Sequence, residues 1–103
     1  MADFPKRFPN RCPTHPGALL REIVLPAMPV SKTDFAKALG ISRQALYDLL
    51  AEKQPVSPVT AVRLGLLFEQ SAATWLNMQT AFDLWHAERQ FDKSKIKPLK
   101  IAV

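Results

Sequence analysis

The chain has little of what several classes of protein require. It has one cysteine, Cys12, among 103 residues, which excludes an intramolecular disulfide and a four-cysteine zinc site. Its three glycines leave no room for a glycine-rich phosphate loop. No apolar run approaches the roughly 20 residues that span a bilayer, and the N-terminal segment has no apolar signal-peptide core. These absences favour a small cytoplasmic protein, and we expect neither a bound metal nor another cofactor.

Residue patterns typical of catalysis are also missing. The two histidines, His15 and His86, are far apart in the sequence, so we expect a helix-start role for the first and a surface or interface role for the second. Cys12 lies in a proline-rich segment where nothing places a base to activate it. Asp83 and Glu88 lie five residues apart on a predicted helix and therefore point in different directions. We expect a protein that is not an enzyme.

The net charge of +5 is concentrated at the two ends of the chain. Residues 1–30 carry four basic and two acidic side chains, residues 31–90 carry six of each, and residues 91–103 carry four lysines and one aspartate. A basic surplus indicates a polyanionic partner. The charge alone leaves two alternatives open. The protein binds nucleic acid, or it is a soluble basic protein without a polyanionic partner.

Hydrophobic periodicity predicts an all-α domain of five helices over residues 16–90. The prolines that crowd the first 29 residues exclude regular helix from residues 1–15, which we interpret as an extended arm. The first helix is expected between Pro16 and Pro26, with Pro26 ending it. Residues 91–103 form a basic tail with scattered apolar residues, which we expect to be extended, as an edge strand or a peptide.

Serines begin the remaining helices. A serine side chain caps a helix N-terminus, and proline suits the first helical turn. Ser31, Ser42, the pair Ser57-Pro58, and Ser71 each precede an apolar periodic segment, and the last helix is expected to reach Gln90. The predicted core comprises Leu20, Phe35, Ala36, Leu39, Leu46, Leu49, Val62, Leu66 and Leu76.

Residues 31–51 have the spacing of a helix-turn-helix. Ala36 provides the small residue where two helices cross closely. Gly40, four residues later, tolerates the positive φ that the turn requires. Ile41 then closes the corner between the two helices. The pattern predicts that the second helix is a DNA recognition helix.

In a helix-turn-helix the N-terminal residues of the second helix contact base edges in the major groove. Arg43 can pair with guanine and Gln44 with adenine, and Tyr47 follows one turn later. A carboxylate near phosphates is unfavourable, so we expect Asp48 to orient Arg43 or Lys32. The alternative is an ordinary solvated helix face. The complete predicted DNA-contacting set, including the phosphate-contacting rim, is Ser31, Lys32, Thr33, Ser42, Arg43, Gln44, Tyr47 and Lys53.

The last helix carries a wide apolar band. Four large residues recur at three- to four-residue spacing, namely Trp75, Met78, Phe82 and Trp85. The band is wider than one core contact requires. It is either entirely core, or one of its edges meets a second copy of the chain in a homodimer.

The motifs together resemble the HigA-type antitoxins, which are XRE/Cro-like helix-turn-helix proteins with a lambda-repressor-like fold. The resemblance covers residues 14–90. Ala18 departs from the family, which usually has glutamate there, and Phe82 replaces a frequent tyrosine. The motifs that carry the resemblance are His15-Pro16-Gly17, Ser42-Arg43-Gln44, Trp75-Leu76-Asn77-Met78-Gln79 and Phe82-Asp83-Leu84.

The resemblance implies a homodimer that binds the operator of its own operon on double-stranded DNA. It also implies a cognate toxin partner, usually a ribosome-dependent messenger-RNA endonuclease, which the antitoxin neutralises by binding it. A phage-type repressor without a toxin is the alternative, and a protein-interaction module is a further one. For the ends, we expect at least one to lie extended against a partner, the alternative being a frayed terminus.

Overall fold

The computed structural model describes residues 11–100. Within this range the chain is helical and contains no strand, and the prediction of an all-α fold with five helices is confirmed. Helix α1 begins as α-helix at Pro16–Leu19, continues as π-helix at Leu20–Val24 and ends as 3₁₀-helix at Leu25–Ala27. The other helices are α2 (Lys32–Leu39), α3 (Arg43–Leu50), α4 (Pro58–Phe68) and α5 (Ala72–Gln90), and a short 3₁₀ turn follows at Lys93–Lys95.

The predicted capping residues begin the helices as expected. Ser31, Ser42, Ser57 and Ser71 are the N-caps of α2 to α5, and each hydroxyl oxygen accepts a backbone N–H from the first turn. These bonds satisfy donors that have no partner inside the helix. His15 caps α1, because its Nδ1 accepts the Gly17 N–H at 2.8 Å. The expected helix-start role of this histidine is therefore observed.

Helix α1 does not end at Pro26 as predicted. The chain widens to π-helix after Leu19 and then tightens to 3₁₀-helix through Ala27, with Pro26 in the first turn of the 3₁₀ segment. Proline has no N–H to donate, and an early position in a new helical segment requires none. Leu25, in the 3₁₀ segment, is buried in the core.

The core lies between α1, α2, α3, α4 and the first half of α5. Most of the predicted core is buried, and Leu76 packs against it partly buried. Val62 and Leu66 were predicted wrongly, because they lie 49% and 77% exposed. Helix α4 is apolar around most of its circumference, so its pattern does not determine which side faces inward. The buried residues of α4 are Ala61, Leu64 and Gly65, and Leu67 and Phe68 pack against the core partly buried.

Two close contacts hold the helices in place. A Cβ on Gly17 would lie 1.9 Å from the Leu49 carbonyl oxygen, so α1 packs directly on the backbone of α3. Gln79 is buried on α5; its Oε1 accepts the Val56 N–H at 2.8 Å and its Nε2 donates to Asp83. This side chain ties the loop between α3 and α4 to the last helix.

The ends are described in part. Residues 11–14 have no regular secondary structure, and residues 1–10 of the predicted arm lie outside the described residues. The tail was expected to be extended, but a 3₁₀ turn forms at Lys93–Lys95 because the Asp92 carboxylate accepts the Ser94 N–H and hydroxyl. Residues 96–100 have no regular structure, all of residues 91–100 are exposed, and residues 101–103 lie outside the described part.

Candidate nucleic-acid interface

The turn between α2 and α3 is built around Gly40. This residue adopts φ 78° and ψ 29°, a left-handed conformation that costs glycine little. Its N–H donates to Lys37 O at 3.1 Å, and the Ile41 N–H donates to Ala36 O at 3.0 Å. Ser42 then caps α3 immediately. The two helices are consequently joined by three residues, the short connection that a helix-turn-helix needs.

Arginines from neighbouring helices hold the C-terminal ends of α2 and α3. Arg63 of α4 donates to Leu39 O at 3.2 Å, next to Gly40. Arg21 of α1 donates to Leu50 O and to the Glu52 carboxylate. Cations at helix C-termini are favourable because the last carbonyls carry partial negative charge. The hydrogen bond to Glu22, with a second to Glu52, raises the pKa of Arg21 above its ordinary value.

Tyr47 lies between two cations on the exposed surface of α3. The residue is 39% exposed, with Lys32 Nζ 5.8 Å and the Arg43 guanidinium carbon 5.9 Å from the ring centroid. Cations are attracted to aromatic faces at such distances. Lys32 from α2 and two residues of α3 thus form one exposed basic surface.

Gln44 is held by Asp48. Its Nε2 donates to Asp48 Oδ1 at 2.9 Å, a bond between residues one turn apart. Asp48 was expected to orient Arg43 or Lys32, but it orients Gln44. A carboxylate only accepts hydrogen bonds, so the contact fixes which end of the amide is nitrogen. Because Nε2 carries a second hydrogen, Gln44 keeps one donor and its Oε1 acceptor for a base.

The remaining predicted contacts lie around this surface. Ser31 and Ser42 use their hydroxyl oxygens as caps and keep their O–H donors. Thr33 is half-buried in the first turn of α2, and Lys53 is exposed just after α3. The Lys53 N–H donates to Asp48 O at 2.9 Å, which fixes the backbone of this loop beside α3.

The four candidates for a dimer interface on α5 are not equivalent. Trp75 is 3% exposed, stacks on Phe68 with ring centroids 5.9 Å apart and donates to Gln70, so it belongs to the core of its own chain. Met78 is half-buried against the same core. Phe82 and Trp85 are half-buried farther along, and Arg89 covers the Trp85 ring at 3.7 Å. Only Phe82 and Trp85, at the end of the apolar band, therefore remain as candidates for contact with a second copy.

His15 and His86 both contact the Phe82 ring. The His15 ring meets Phe82 edge-on at 4.8 Å, and His86 contacts both Phe82 and Trp85. Cys12 Sγ lies 3.6 Å from His86 Nε2. Burial lowers the pKa of His15, and nearby Arg21 adds to this, while Glu52 and Asp83 act in the opposite direction. This cluster fixes the start of α1 against α5.

Three features of the site were not predicted from the sequence. The Arg63 cap on α2, the Arg21 cap on α3 and the Gln44–Asp48 pair all involve charged or amide side chains that the pattern leaves unassigned. Only the last has a local signal, because residues four apart share a helix face. The two arginine caps join residues more than 20 positions apart, which helical periodicity cannot relate.

No group of three or more histidine, cysteine or acidic residues that could hold a metal ion occurs among residues 11–100. Over the same residues, no helix combines the length and apolar character needed to cross a membrane. The site consists of the capped helix α3, its exposed basic surface and the turn at Gly40. Fold and site together define a helix-turn-helix protein of the DNA-binding class.

Comparison with known proteins narrows this class. No family model matches the chain. It is 43% identical over 82 residues to virulence-associated protein I of Dichelobacter nodosus, covering 80% of this chain and 74% of that protein.

The chain is also similar to two solved structures. Antitoxin GraA is 36% identical with a TM-score of 0.78, covering 86% of this chain and 99% of GraA. The Pseudomonas aeruginosa antitoxin HigA, solved with the higBA promoter, is 34% identical with a TM-score of 0.77, covering 85% and 99%. The chain belongs to the HigA-type antitoxins, a family of XRE-like helix-turn-helix proteins.

Proposed function

We propose that this protein binds, as a homodimer, the operator of its own toxin–antitoxin operon and represses it. We further propose that it neutralises a cognate endoribonuclease toxin by binding it, without catalytic activity of its own. The observation that carries the DNA-binding part is the exposed basic surface of α3 in a chain similar over most of its length to an antitoxin solved with promoter DNA. The toxin-binding part is supported by membership of the antitoxin family.

We propose different tasks for the side chains of this surface. Arg43 presents a planar guanidinium suited to guanine, and Gln44 presents an oriented amide suited to adenine. Lys32 and Lys53 lie beside α3, where phosphates would pass, and the Ser31 and Ser42 hydroxyls can donate to them. Tyr47 keeps Lys32 and Arg43 on one side of the helix.

The test compares a duplex from the promoter of the protein's own operon with a random duplex of equal length. Arg43→Ala should cost about 1–3 kcal/mol on the promoter duplex and less on the random one, because the variant has no guanidinium to pair with a base edge. Lys53→Ala should weaken binding to both duplexes alike. It should also lower the salt slope, the steepness with which the logarithm of the binding constant falls with the logarithm of the salt concentration, by about one. Arg89→Ala removes an equal charge from α5 and serves as the control. An equal loss of affinity on both duplexes for Arg43→Ala would show that it does not read bases.

The toxin-binding part has its own experiment. The neighbouring reading frame of the operon is expressed alone and together with this protein, and cell growth and messenger-RNA cleavage are measured. We expect growth arrest without the antitoxin and recovery with it. A neighbouring product that is harmless and does not co-purify with this protein would favour the alternative, a phage-type repressor without a toxin.

A further inference from the structure

Helix α3 carries one acidic residue, Asp48, although its exposed surface is the one proposed to contact DNA. A carboxylate close to phosphates is repelled by them, so it lowers the affinity for DNA of any sequence. Asp48 is half-buried, whereas Gln44, one turn before it, is exposed. Asp48 also lines a recess of about 400 Å³ between α3 and the start of α4, together with Ser57 and Thr60. Of the pair, Gln44 is therefore the residue placed to reach a base.

The backbone of Asp48 is fixed by the loop that follows α3. Its carbonyl oxygen accepts the Lys53 N–H at 2.9 Å and the Gln54 N–H at 3.3 Å. The side chain projects from this fixed point, and its Oδ1 accepts a hydrogen bond from Gln44 Nε2 at 2.9 Å. Within the described part of the chain, no ion pair joins Asp48 to Arg43. An effect of Asp48 on base recognition would consequently act through Gln44.

The contact matters because a glutamine amide alone does not select one base. Its Nε2 carries two donor hydrogens and its Oε1 is an acceptor. In the major groove adenine presents the N6 donor and the N7 acceptor, whereas guanine presents two acceptors, N7 and O6. A free Gln44 could therefore pair with adenine through Oε1 and Nε2, or with guanine through the two hydrogens of Nε2.

The hydrogen bond to Asp48 removes the second of these pairings. With one Nε2 hydrogen given to the carboxylate, Gln44 keeps one donor and one acceptor, which match the edge of adenine. On guanine the remaining donor reaches one acceptor, and Oε1 faces the other with no hydrogen between them. Such an unpaired contact is costly in a closed interface and disfavours guanine. The bond itself is worth little in water, but it strengthens where DNA excludes water.

We propose that Asp48 is the residue that makes Gln44 select adenine over guanine, without contacting the DNA itself. Asp48 is thus a positioning residue with two opposite effects. Its charge lowers the affinity for every sequence, and its hydrogen bond raises the selectivity at one base pair. The inference rests on the proposed function, in which Gln44 contacts a base, and it adds the residue that determines which base is accepted.

The experiment selects preferred sites from a library of random duplexes and compares the base preferences of the parent protein and its variants. Gln44→Ala identifies the base pair that Gln44 contacts, because the preference at that pair is lost. The parent should prefer adenine there, and Asp48→Ala should lower its preference for adenine over guanine at least ~5-fold. The preference that is lost in Arg43→Ala should persist in Asp48→Ala.

Affinity for a random duplex provides a second readout. Asp48→Ala should bind such a duplex at least as tightly as the parent, because a negative charge near the phosphates is gone. This binding also shows that the variant is folded. Asp34→Ala removes an equal charge from the first turn of α2 and should leave the adenine preference unchanged. A loss of adenine preference in Asp34→Ala as large as that in Asp48→Ala would overturn the proposal, because the effect would then be one of charge.

A double variant separates positioning from direct contact. In a Gln44→Ala background, Asp48→Ala should have no further effect on base preference, since Asp48 acts only through the amide. A direct hydrogen bond from cytosine to Asp48 would change the preference in that background and would also overturn the proposal. A parent protein that binds no duplex selectively would contradict the proposed DNA-binding function itself. A selective parent in which Gln44→Ala alters no base preference, or whose adenine preference survives Asp48→Ala, would contradict this inference alone.

Discussion

Gln79 is the polar residue on which the packing of the loop before α4 depends. Its carbonyl oxygen is the acceptor for the buried Val56 N–H, and the side chain is 4% exposed. Gln79→Leu keeps the size of the residue but leaves that N–H without its acceptor. We expect a loss of about 1–3 kcal/mol in the free energy of unfolding, measured with urea. Gln90→Leu, exposed at the end of the same helix, should stay within about 0.5 kcal/mol. Equal effects of the two changes would contradict this role.

His15 makes the stability of the fold depend on pH. Its Nδ1 must be unprotonated to accept the Gly17 N–H, and burial lowers its pKa below the unfolded value of 6.5. Between the folded and unfolded pKa values the unfolded chain binds more protons, so stability rises with pH in that interval. We therefore expect the free energy of unfolding to fall as the pH drops from about 7.5 to 5.5.

Two variants separate His15 from the other titrating groups. His15→Asn retains a capping side chain without a titrating ring, so the variant should lose much of the pH dependence even if it is less stable throughout. His15→Gln also lacks a titrating ring, so it should lose the same part of the pH dependence. A parent protein equally stable at both pH values would show that the cap does not control this titration.

Side-chain pairings were harder to predict than residue roles. The sequence placed Arg43, Gln44 and Tyr47 at the start of a recognition helix, and the structure puts them on one exposed surface. It did not reveal that Asp48 binds Gln44. Asp48 has several possible partners within reach, and side-chain rotamers and distances determine which of them forms the hydrogen bond. Gln79 belonged to a recognised motif, but its partner Val56 is 23 residues away and has no periodic signal.

At the scale of helices, the starts were predicted well because capping is a local interaction. A serine and the N–H two or three residues later suffice to define a start, and four helices begin in this way. The inward face of α4 was predicted wrongly at Val62 and Leu66, since a helix that is apolar nearly all round needs its neighbours to determine its rotation. The π and 3₁₀ segments of α1 were not predicted from the proline positions either.

The contact between α1 and α3 gives a prediction at this scale. Alanine in place of a helical glycine ordinarily stabilises by about 0.5–1 kcal/mol. At position 17 the new Cβ would meet the Leu49 carbonyl oxygen at 1.9 Å, and overpacking costs about 1–3 kcal/mol. The clash should prevail, so Gly17→Ala should lower the midpoint of urea unfolding.

The same substitution should disturb the DNA-binding surface, because Leu49 lies on the recognition helix. Operator affinity should fall along with stability even though Gly17 is not in the predicted DNA-contacting set. Ala18→Gly, at the next position, measures the loss of helix propensity alone, and it should leave operator affinity intact where the protein is folded. An increase in stability on Gly17→Ala would mean that the two helices are farther apart in solution.

At the scale of the whole molecule, the helical domain and the tail make separate contributions. The neutral region 31–90 supplies most of the core, and the basic surplus lies in the flanking segments. Residues 91–100 are exposed throughout, including the apolar side chains of Phe91, Ile96 and Leu99. The hydrogen bonds of the Lys93–Lys95 turn are local to the tail. The described part of the tail, residues 91–100, is therefore not required to stabilise the helices.

Deletion of residues 91–103 tests whether the tail serves a partner instead. We expect the free energy of unfolding to change by less than about 0.5 kcal/mol, because the described residues of the tail bury no side chain. If the tail lies extended against the toxin or the second subunit, the deletion should weaken that association. If its lysines reach phosphates, the salt slope of operator binding should fall by about 0.9 for each phosphate that is no longer neutralised. A double change, Ile96→Ser with Leu99→Ser, keeps the charges and should affect only association with a protein. A deletion that leaves dimerisation, operator affinity and toxin binding unchanged would assign the tail no role in any of the three.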